Sequence, residues 1–262
     1  MNKLSRLFKF LNHFVLARNT KGYGVHSPFL FQFTRFVLME RNPYYIFEAI
    51  EQERTRLLND KTVLNKTDFG TGKSGDFKVC HIAKRSLSSA RKGQLIHRIV
   101  NYLDLDNQLE LGTSFGISTA YMASSSAQKR KCISLEGCQN TAHIAQQALS
   151  NLGLNRVEII EGDINKTISI ALNKLSVVDF VLLDANHSFD ATCNYFDQIK
   201  PFLSNNSVVI VDDIYWSDGM IRAWNYIKAD AEVTATIDLF HFGIVFVNKD
   251  LHKENYKMRF CI

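Results

Sequence analysis

The chain has 262 residues, of which 46% are hydrophobic, and its formal net charge is +5 from 31 basic and 26 acidic side chains. This composition is typical of a soluble globular protein with one large α/β domain, with or without an extension. The charge excess is mild, so we do not expect nucleic acid to be the partner. The five cysteines form no CxxC pair. This argues against a disulfide framework or a structural zinc site and favours buried thiols in a reducing cytoplasm.

The N-terminal segment mixes basic residues with apolar residues at helical spacing. Lys3, Arg6 and Lys9 interrupt the apolar run, so it forms neither a signal-peptide core nor a transmembrane helix. The spacing predicts an amphipathic helix whose apolar positions are Leu4, Leu7, Phe8, Leu11, Phe14 and Val15. Such a helix either packs on the body of the protein or lies on a membrane surface.

Up to about residue 85 the pattern is helical and irregular, with helices predicted over residues 29–39 and 46–58. Residues 69–75 (FGTGKSG) form a predicted flexible loop. It is not a phosphate-binding P-loop, because Thr67 stands where that motif requires its first glycine. We interpret residues 1–85 as a helical extension or cap and residues 86–262 as the main domain.

Beyond residue 86 the chain alternates between strands and helices. The predicted strands cover residues 109–111, 131–135, 157–160, 178–183 and 207–211, and a tight hairpin follows over residues 233–239 and 242–247. The pattern predicts a doubly wound, mostly parallel, seven-stranded Rossmann-like sheet with an antiparallel C-terminal hairpin. Ligands of such sheets bind beyond the carboxyl ends of the strands.

The first of these strands leads into residues 110–119, with the sequence ELGTSFGIST. Gly112 and Gly116 let backbone approach a ligand closely. The helix that follows, which we expect Ser118 or Thr119 to cap, would receive a carboxylate or a phosphate at its N-terminus. Ser114 replaces a glycine of the dinucleotide-binding motif, which disfavours NAD.

Polar residues also follow the other strands. Glu136 could accept hydrogen bonds from both ribose hydroxyls of a nucleoside. Asp163, after Gly162, could accept from an adenine amino group or cap the next helix. The fourth and fifth strands end in Asp184-Ala185-Asn186-His187 and Asp212-Asp213. Each feature is weak alone, but five polar clusters in order indicate one ligand site.

On these motifs, residues 90–247 resemble the class I S-adenosylmethionine-dependent methyltransferases and are most similar to the catechol O-methyltransferase-like group. The resemblance implies that Gly112 and Gly116 lie under the methionine moiety and that Ser118 binds its carboxylate. It places Glu136 at the ribose and Asp163 beside the adenine. The remaining residues of the implied cofactor site are Glu110, Thr113, Thr119, Gly162 and Asp184.

The same resemblance implies that Asp184 begins the strand end at which catalysis takes place. Metal-dependent relatives bind Mg²⁺ through two aspartates and an asparagine, which correspond here to Asp184, Asp212 and Asp213, with aspartate in place of the asparagine. The alternative is that Asp212 and Asp213 cap the following helix and contact the cofactor's sulfonium. His187 stands where the catechol enzymes carry a lysine general base, and histidine can take a hydroxyl proton unless its role is structural.

The expected activity is methyl transfer to a hydroxyl group of a small-molecule acceptor. The segment from Asp184 to His187 is not the Asn/Asp-Pro-Pro-Tyr/Phe motif of enzymes that methylate nucleic-acid amines. Two alternatives stay open, an aminopropyl transferase and a non-catalytic binding protein, because one fold serves several functions. The candidate acceptor contacts are Tyr23, His26, Tyr215 and Trp216.

Overall fold

The structure is a computed structural model, and it describes residues 3–66, 74–125 and 131–260. The chain divides into two units. The first unit contains the chain up to Glu40 and again from Val177 onward, and the second runs from Arg41 to Ser176. The first unit therefore joins the beginning of the chain to its end.

The second unit carries a three-stranded parallel sheet in the order β3-β4-β5. Helices connect these strands, as the alternating pattern predicts. Its elements are α3 (Tyr45–Asn59), β1 (Val63–Lys66), β2 (Gly75–Lys78), α4 (Val79–Ser86), α5 (Ala90–Tyr102), β3 (Asn107–Leu111), α6 (Ile117–Ala123), β4 (Lys131–Glu136), α7 (Gln139–Asn151), β5 (Val157–Glu161) and α8 (Ile164–Leu175).

The first unit carries five strands in the order β10-β8-β9-β7-β6. Its elements are α1 (Lys3–Leu16), α2 (Pro28–Phe33), a π-helical turn (Thr34–Leu38), β6 (Val178–Leu183), α9 (Phe189–Ile199), β7 (Leu203–Asp212), α10 (Asp218–Ala229), β8 (Ala235–Asp238), β9 (Phe242–Phe246) and β10 (Glu254–Lys257), with short 3-10 turns at Thr20–Gly22 and Lys200–Phe202. Strand β9 runs antiparallel to β7 and β8, so the predicted hairpin is confirmed.

The two units together carry eight strands, one more than the seven expected, in the mostly parallel α/β arrangement that the sequence predicts. The additional strand is β10, which pairs in parallel with β8. It has only four residues, and Tyr256 alone is fully buried, so it has no apolar pattern. A separate hairpin of β1 and β2 was also not predicted. Most of the expected loop over residues 69–75 lies outside the described residues.

Helix α6 is fixed in place by close contact with α5. A Cβ atom at Gly93 would lie 2.1 Å from the ring of Tyr121, so glycine is required where the two helices meet. The hydroxyl of Tyr121 donates a 2.7 Å hydrogen bond to Glu51 of α3. These contacts hold the helix that follows the glycine-containing loop.

Candidate functional site

The loop after β3 is held against the neighbouring strand by its backbone. The N–H groups of Gly112 and Thr113 both donate to the carbonyl of Leu135, at 3.0 and 3.2 Å. Gly112 and Gly116 have φ angles of +101° and +79°. Residues other than glycine rarely adopt these φ angles, so the backbone path of the loop requires glycine at both positions.

The predicted cap of α6 by Ser118 or Thr119 is wrong. The helix begins at Ile117, and its N-cap is Gly116, which has no side chain to cap it. Ser118 and Thr119 lie within the first turn and are buried. Because the left-handed glycine takes the cap position, both hydroxyls turn to other partners in the protein.

A buried carboxylate, Glu110, lies beneath this loop. Its Oε2 accepts hydrogen bonds from the hydroxyl of Thr119 and, at 2.6 Å, from that of Ser134. Burial raises the pKa of Glu110 to about 7, although hydroxyls including that of Ser118 oppose the shift. Its Oε1 is buried and has no hydrogen-bond partner in the described part of the chain. A buried polar atom of this kind needs a donor, which a cationic ligand group would supply.

The Glu136 carboxylate at the end of β4 joins two of the strand-end segments. Its Oε2 accepts from the N–H of Ser114 at 2.8 Å, and its Oε1 accepts from the N–H of Cys138 at 3.0 Å. The N–H of Gly162 donates to the Glu136 carbonyl at 2.9 Å. The partly exposed carboxylate is thus held in one orientation and retains acceptor capacity for hydroxyl donors.

The other two predicted cofactor residues of this unit have clear roles within the protein. The Thr113 hydroxyl lies 2.5 Å from that of Ser134, so it is engaged inside the unit. Asp163 caps α8, and its Oδ1 accepts from the N–H of Asn165 at 3.0 Å. The predicted helix-capping role of Asp163 is therefore confirmed, and its contact with adenine stays a prediction.

In the first unit, Asp184 and His187 follow β6 and face each other. The distance from His187 Nε2 to Asp184 Oδ1 is 3.6 Å, and both side chains are partly exposed. Between them Asn186 adopts a φ of +43°, which turns the backbone sharply. Ser188 then caps α9. At 3.6 Å the contact is too long for a hydrogen bond, but the carboxylate is close enough to attract a protonated imidazole.

The two aspartates at the end of β7 do not cap the next helix, so that part of the alternative is wrong. Helix α10 is capped by Ser217, which accepts from the N–H of Met220 at 3.1 Å. Asp212 is buried as the last residue of β7. Asp213 Oδ1 instead lies 3.3 Å from the guanidinium of Arg6. Across the described ranges, no group of three acidic, histidine or cysteine side chains is arranged to hold a metal ion.

Arg6 is the site residue that the sequence did not indicate. Its guanidinium also lies 4.8 Å from the ring centre of Trp216. Arg6 and Asp213 are 207 positions apart, and no local pattern connects residues at that separation. Of the candidate acceptor contacts, Tyr23, His26 and Trp216 are exposed. Tyr215 instead donates a 2.8 Å hydrogen bond to Asp238.

Comparison with known proteins identifies the kind of domain that carries these strand ends. Residues 109–214 match a family model described as a methyltransferase domain. This region begins in β3, ends just after β7, and contains every strand end considered above. The match confirms the resemblance to class I methyltransferases. No curated protein sequence matches the chain.

Solved structures show the same fold at low sequence identity. An O-methyltransferase from Bacillus cereus in complex with S-adenosylhomocysteine has a TM-score of 0.57 and 19% identity, covering 82% of this chain and 96% of its own. The O-methyltransferase TomG from Streptomyces achromogenes in complex with S-adenosylmethionine has a TM-score of 0.59 and 17% identity, and the match covers 83% of this chain and 94% of TomG. The S-adenosylhomocysteine-bound methyltransferase PaMTH1 from Podospora anserina has a TM-score of 0.59 and 15% identity, and the match covers 84% of this chain and 96% of PaMTH1.

Proposed function

We propose that this class I methyltransferase uses S-adenosylmethionine to methylate a hydroxyl group of a small acceptor. The observation that carries the proposal is the buried Oε1 of Glu110, which has no partner in the described part of the chain and lies beneath a loop held open by two glycines. The residues fit the cofactor, because its methionine end offers an ammonium group as the missing donor.

Each part of the cofactor has a candidate partner in the second unit. Glu110 would accept from the ammonium group, and Gly112 and Gly116 leave room for the methionine chain. Glu136 would accept from the ribose hydroxyls, since its orientation is already fixed by two backbone N–H groups. Asp163 would lie beside the adenine. When bound, the cofactor supplies a methyl group that is electrophilic because it is attached to a sulfonium.

In the first unit, His187 would take the proton from the acceptor hydroxyl. Asp184, 3.6 Å away, would orient the imidazole and stabilise it once it is protonated. Positioning of the acceptor oxygen at about 3 Å from the methyl carbon supplies the rest of the rate enhancement. The neutral hydroxyl is thereby converted into a better nucleophile at the moment of transfer.

Mg²⁺ bound by Asp184, Asp212 and Asp213 stays a prediction from the resemblance. Arg6 already lies against Asp213, so a cation at this carboxylate would require that side chain to move. Activity that is lost in excess chelator and restored by Mg²⁺ would assign the metal to the reaction.

The test combines calorimetry with a methyl-transfer screen. We expect the wild-type protein to bind S-adenosylmethionine and to label at least one hydroxylated small molecule. Glu136→Ala should weaken cofactor binding about 10- to 100-fold, the effect of losing charge-assisted hydrogen bonds. Glu158→Ala, which removes an exposed carboxylate of β5 in the same unit, should bind as the wild type does.

Three results would contradict the proposal in different ways. Absence of binding at millimolar cofactor would remove the cofactor assignment. Tight binding without transfer to any hydroxyl acceptor would leave a non-catalytic binding protein. Transfer of an aminopropyl group, with the decarboxylated form of the cofactor supplied as donor, would identify the other alternative.

A further inference from the structure

Helix α1 attaches to the rest of the first unit through its polar side. Lys9 Nζ lies 2.7 Å from Asp218 Oδ1, and Arg6 lies 3.3 Å from Asp213 Oδ1. One turn further along, the buried His13 Nε2 lies 3.0 Å from Asp238 Oδ1. Residues 6, 9 and 13 share one side of a helix. The side of α1 that faces the protein therefore carries the charged residues, and Phe10 at its margin packs on Phe240, with the ring centres 5.1 Å apart.

The opposite side of α1 is apolar and exposed. Leu7, Phe8, Leu11 and Val15 are 55%, 72%, 53% and 71% exposed, and we call these four residues the outer face. Their spacing puts them in one stripe along the helix. Surface helices normally bury their apolar stripe against the core, whereas the outer face of α1 points away from it. A contiguous exposed apolar stripe marks an interaction surface.

The charge around the helix indicates the partner. The first 39 residues contain six lysines and arginines and no acidic residue, whereas the whole chain has a net charge of +5. The rest of the chain is thus close to neutral. Three exposed cations surround the C-terminal end of α1. They are Arg18, Lys21 and Arg259, whose guanidinium lies 4.1 Å from the ring centre of Phe14.

We propose that α1 lies in the plane of an anionic membrane surface, with the outer face in the boundary between headgroups and acyl chains. Exposed aliphatic and aromatic side chains beside cations are the combination that such interfacial helices use. Arg18, Lys21 and Arg259 contribute attraction to anionic headgroups. No helix in the described part of the chain has the length and apolar character to cross a bilayer, so the contact is peripheral.

The proposal is tested by co-sedimentation of the full chain with vesicles. Wild-type protein should bind vesicles of phosphatidylcholine mixed with phosphatidylglycerol and should bind pure phosphatidylcholine vesicles much more weakly. Added salt should weaken the binding to anionic vesicles. The double variant Phe8→Ser with Leu11→Ser should reduce binding at least about tenfold, since burial of each of these side chains is favourable.

Tyr45→Ser serves as the matched control, because it removes a fully exposed aromatic side chain from the second unit. It should bind vesicles as the wild type does. The outer face makes no core contribution, so the double variant should also unfold at the wild-type temperature. Equal binding of the wild type to both kinds of vesicle, or to neither, overturns the proposal. A dimer in solution that the double variant converts to monomers would instead assign the outer face to a second copy of the chain.

Discussion

The Nε2 atom of His13 lies 3.0 Å from the Oδ1 atom of Asp238, and both side chains are buried. The same carboxylate accepts a 2.8 Å hydrogen bond from Tyr215 through Oδ2. This contact ties α1 to the last residue of β8, 225 positions later in the chain.

Asp238→Asn should lower the free energy of unfolding by about 1–3 kcal/mol at neutral pH, because His13 and Tyr215 lose a charged acceptor. Burial alone would raise the pKa of Asp238, but the hydrogen bonds from His13 and Tyr215 outweigh it and lower the pKa. A lowered pKa means that the stabilisation is present above the unfolded value of 3.8 and is lost as the pH falls through the folded value.

Urea denaturation at neutral and acidic pH measures both effects. The variant should lose stability at neutral pH and show a shallower decline in acid than the wild type. Asp250→Asn, at an exposed aspartate of the same unit, should behave as the wild type does. Equal stabilities of Asp238→Asn and the wild type at neutral pH would mean that this contact does not hold α1.

Glu110 should make the cofactor-free protein less stable as the pH rises. Its pKa in the folded protein, about 7, is above the usual value of 4.5. The folded state therefore binds more protons between these values, and stability is lost across that window with rising pH. Glu110→Gln should remove this slope and be more stable than the wild type at pH values above 7, by roughly 1–3 kcal/mol. Denaturation without cofactor at several pH values measures the slope.

Cofactor binding should depend on the same carboxylate. If Glu110 accepts from the ammonium group, binding favours its charged form, so the wild type should release a proton near neutral pH. Calorimetry in buffers of different ionisation enthalpy detects that release, and Glu110→Gln should not show it. Equal proton release by the wild type and the variant would place the ammonium group elsewhere.

His187→Gln should lower kcat for hydroxyl methylation by about 10²–10⁴-fold, the usual contribution of a general base. The affinity for S-adenosylmethionine should not change, because the proposal gives His187 no contact with the cofactor. Steady-state kinetics and calorimetry separate the two effects. His252→Gln, at an exposed histidine of the same unit, is the control. A kcat within twofold of the wild type would exclude His187 as the base.

The sequence predicts the elements whose patterns are strong and local. Strands β6 and β7 are recognisable because their apolar runs are buried on both faces. Strand β10 is too short and polar for such a pattern. The cap of α6 was wrongly predicted because hydroxyl residues are favoured caps, whereas the backbone there places Gly116 at that position.

The order of the elements also predicted which polar residues lie at the ends of the strands, and their role in a ligand site stays a prediction. The sequence could not show which of these residues contact residues far away along the chain. Arg6 reaches Asp213 only because the first unit is built from both ends of the sequence. The exposure of the apolar face of α1 could not be predicted for the same reason. Helical periodicity shows that a helix has two faces but not which of them faces the protein.

The attachment of α1 also sets an order for synthesis of the protein. A ribosome produces α1 before the second unit, but its partners Asp213, Asp218 and Asp238 follow that unit in the chain. The second unit, which is continuous in sequence from Arg41 to Ser176, can fold in the meantime. Throughout that interval the nascent helix has neither its ionic partners nor a finished neighbour, so this is the stage at which a chaperone has the most to bind.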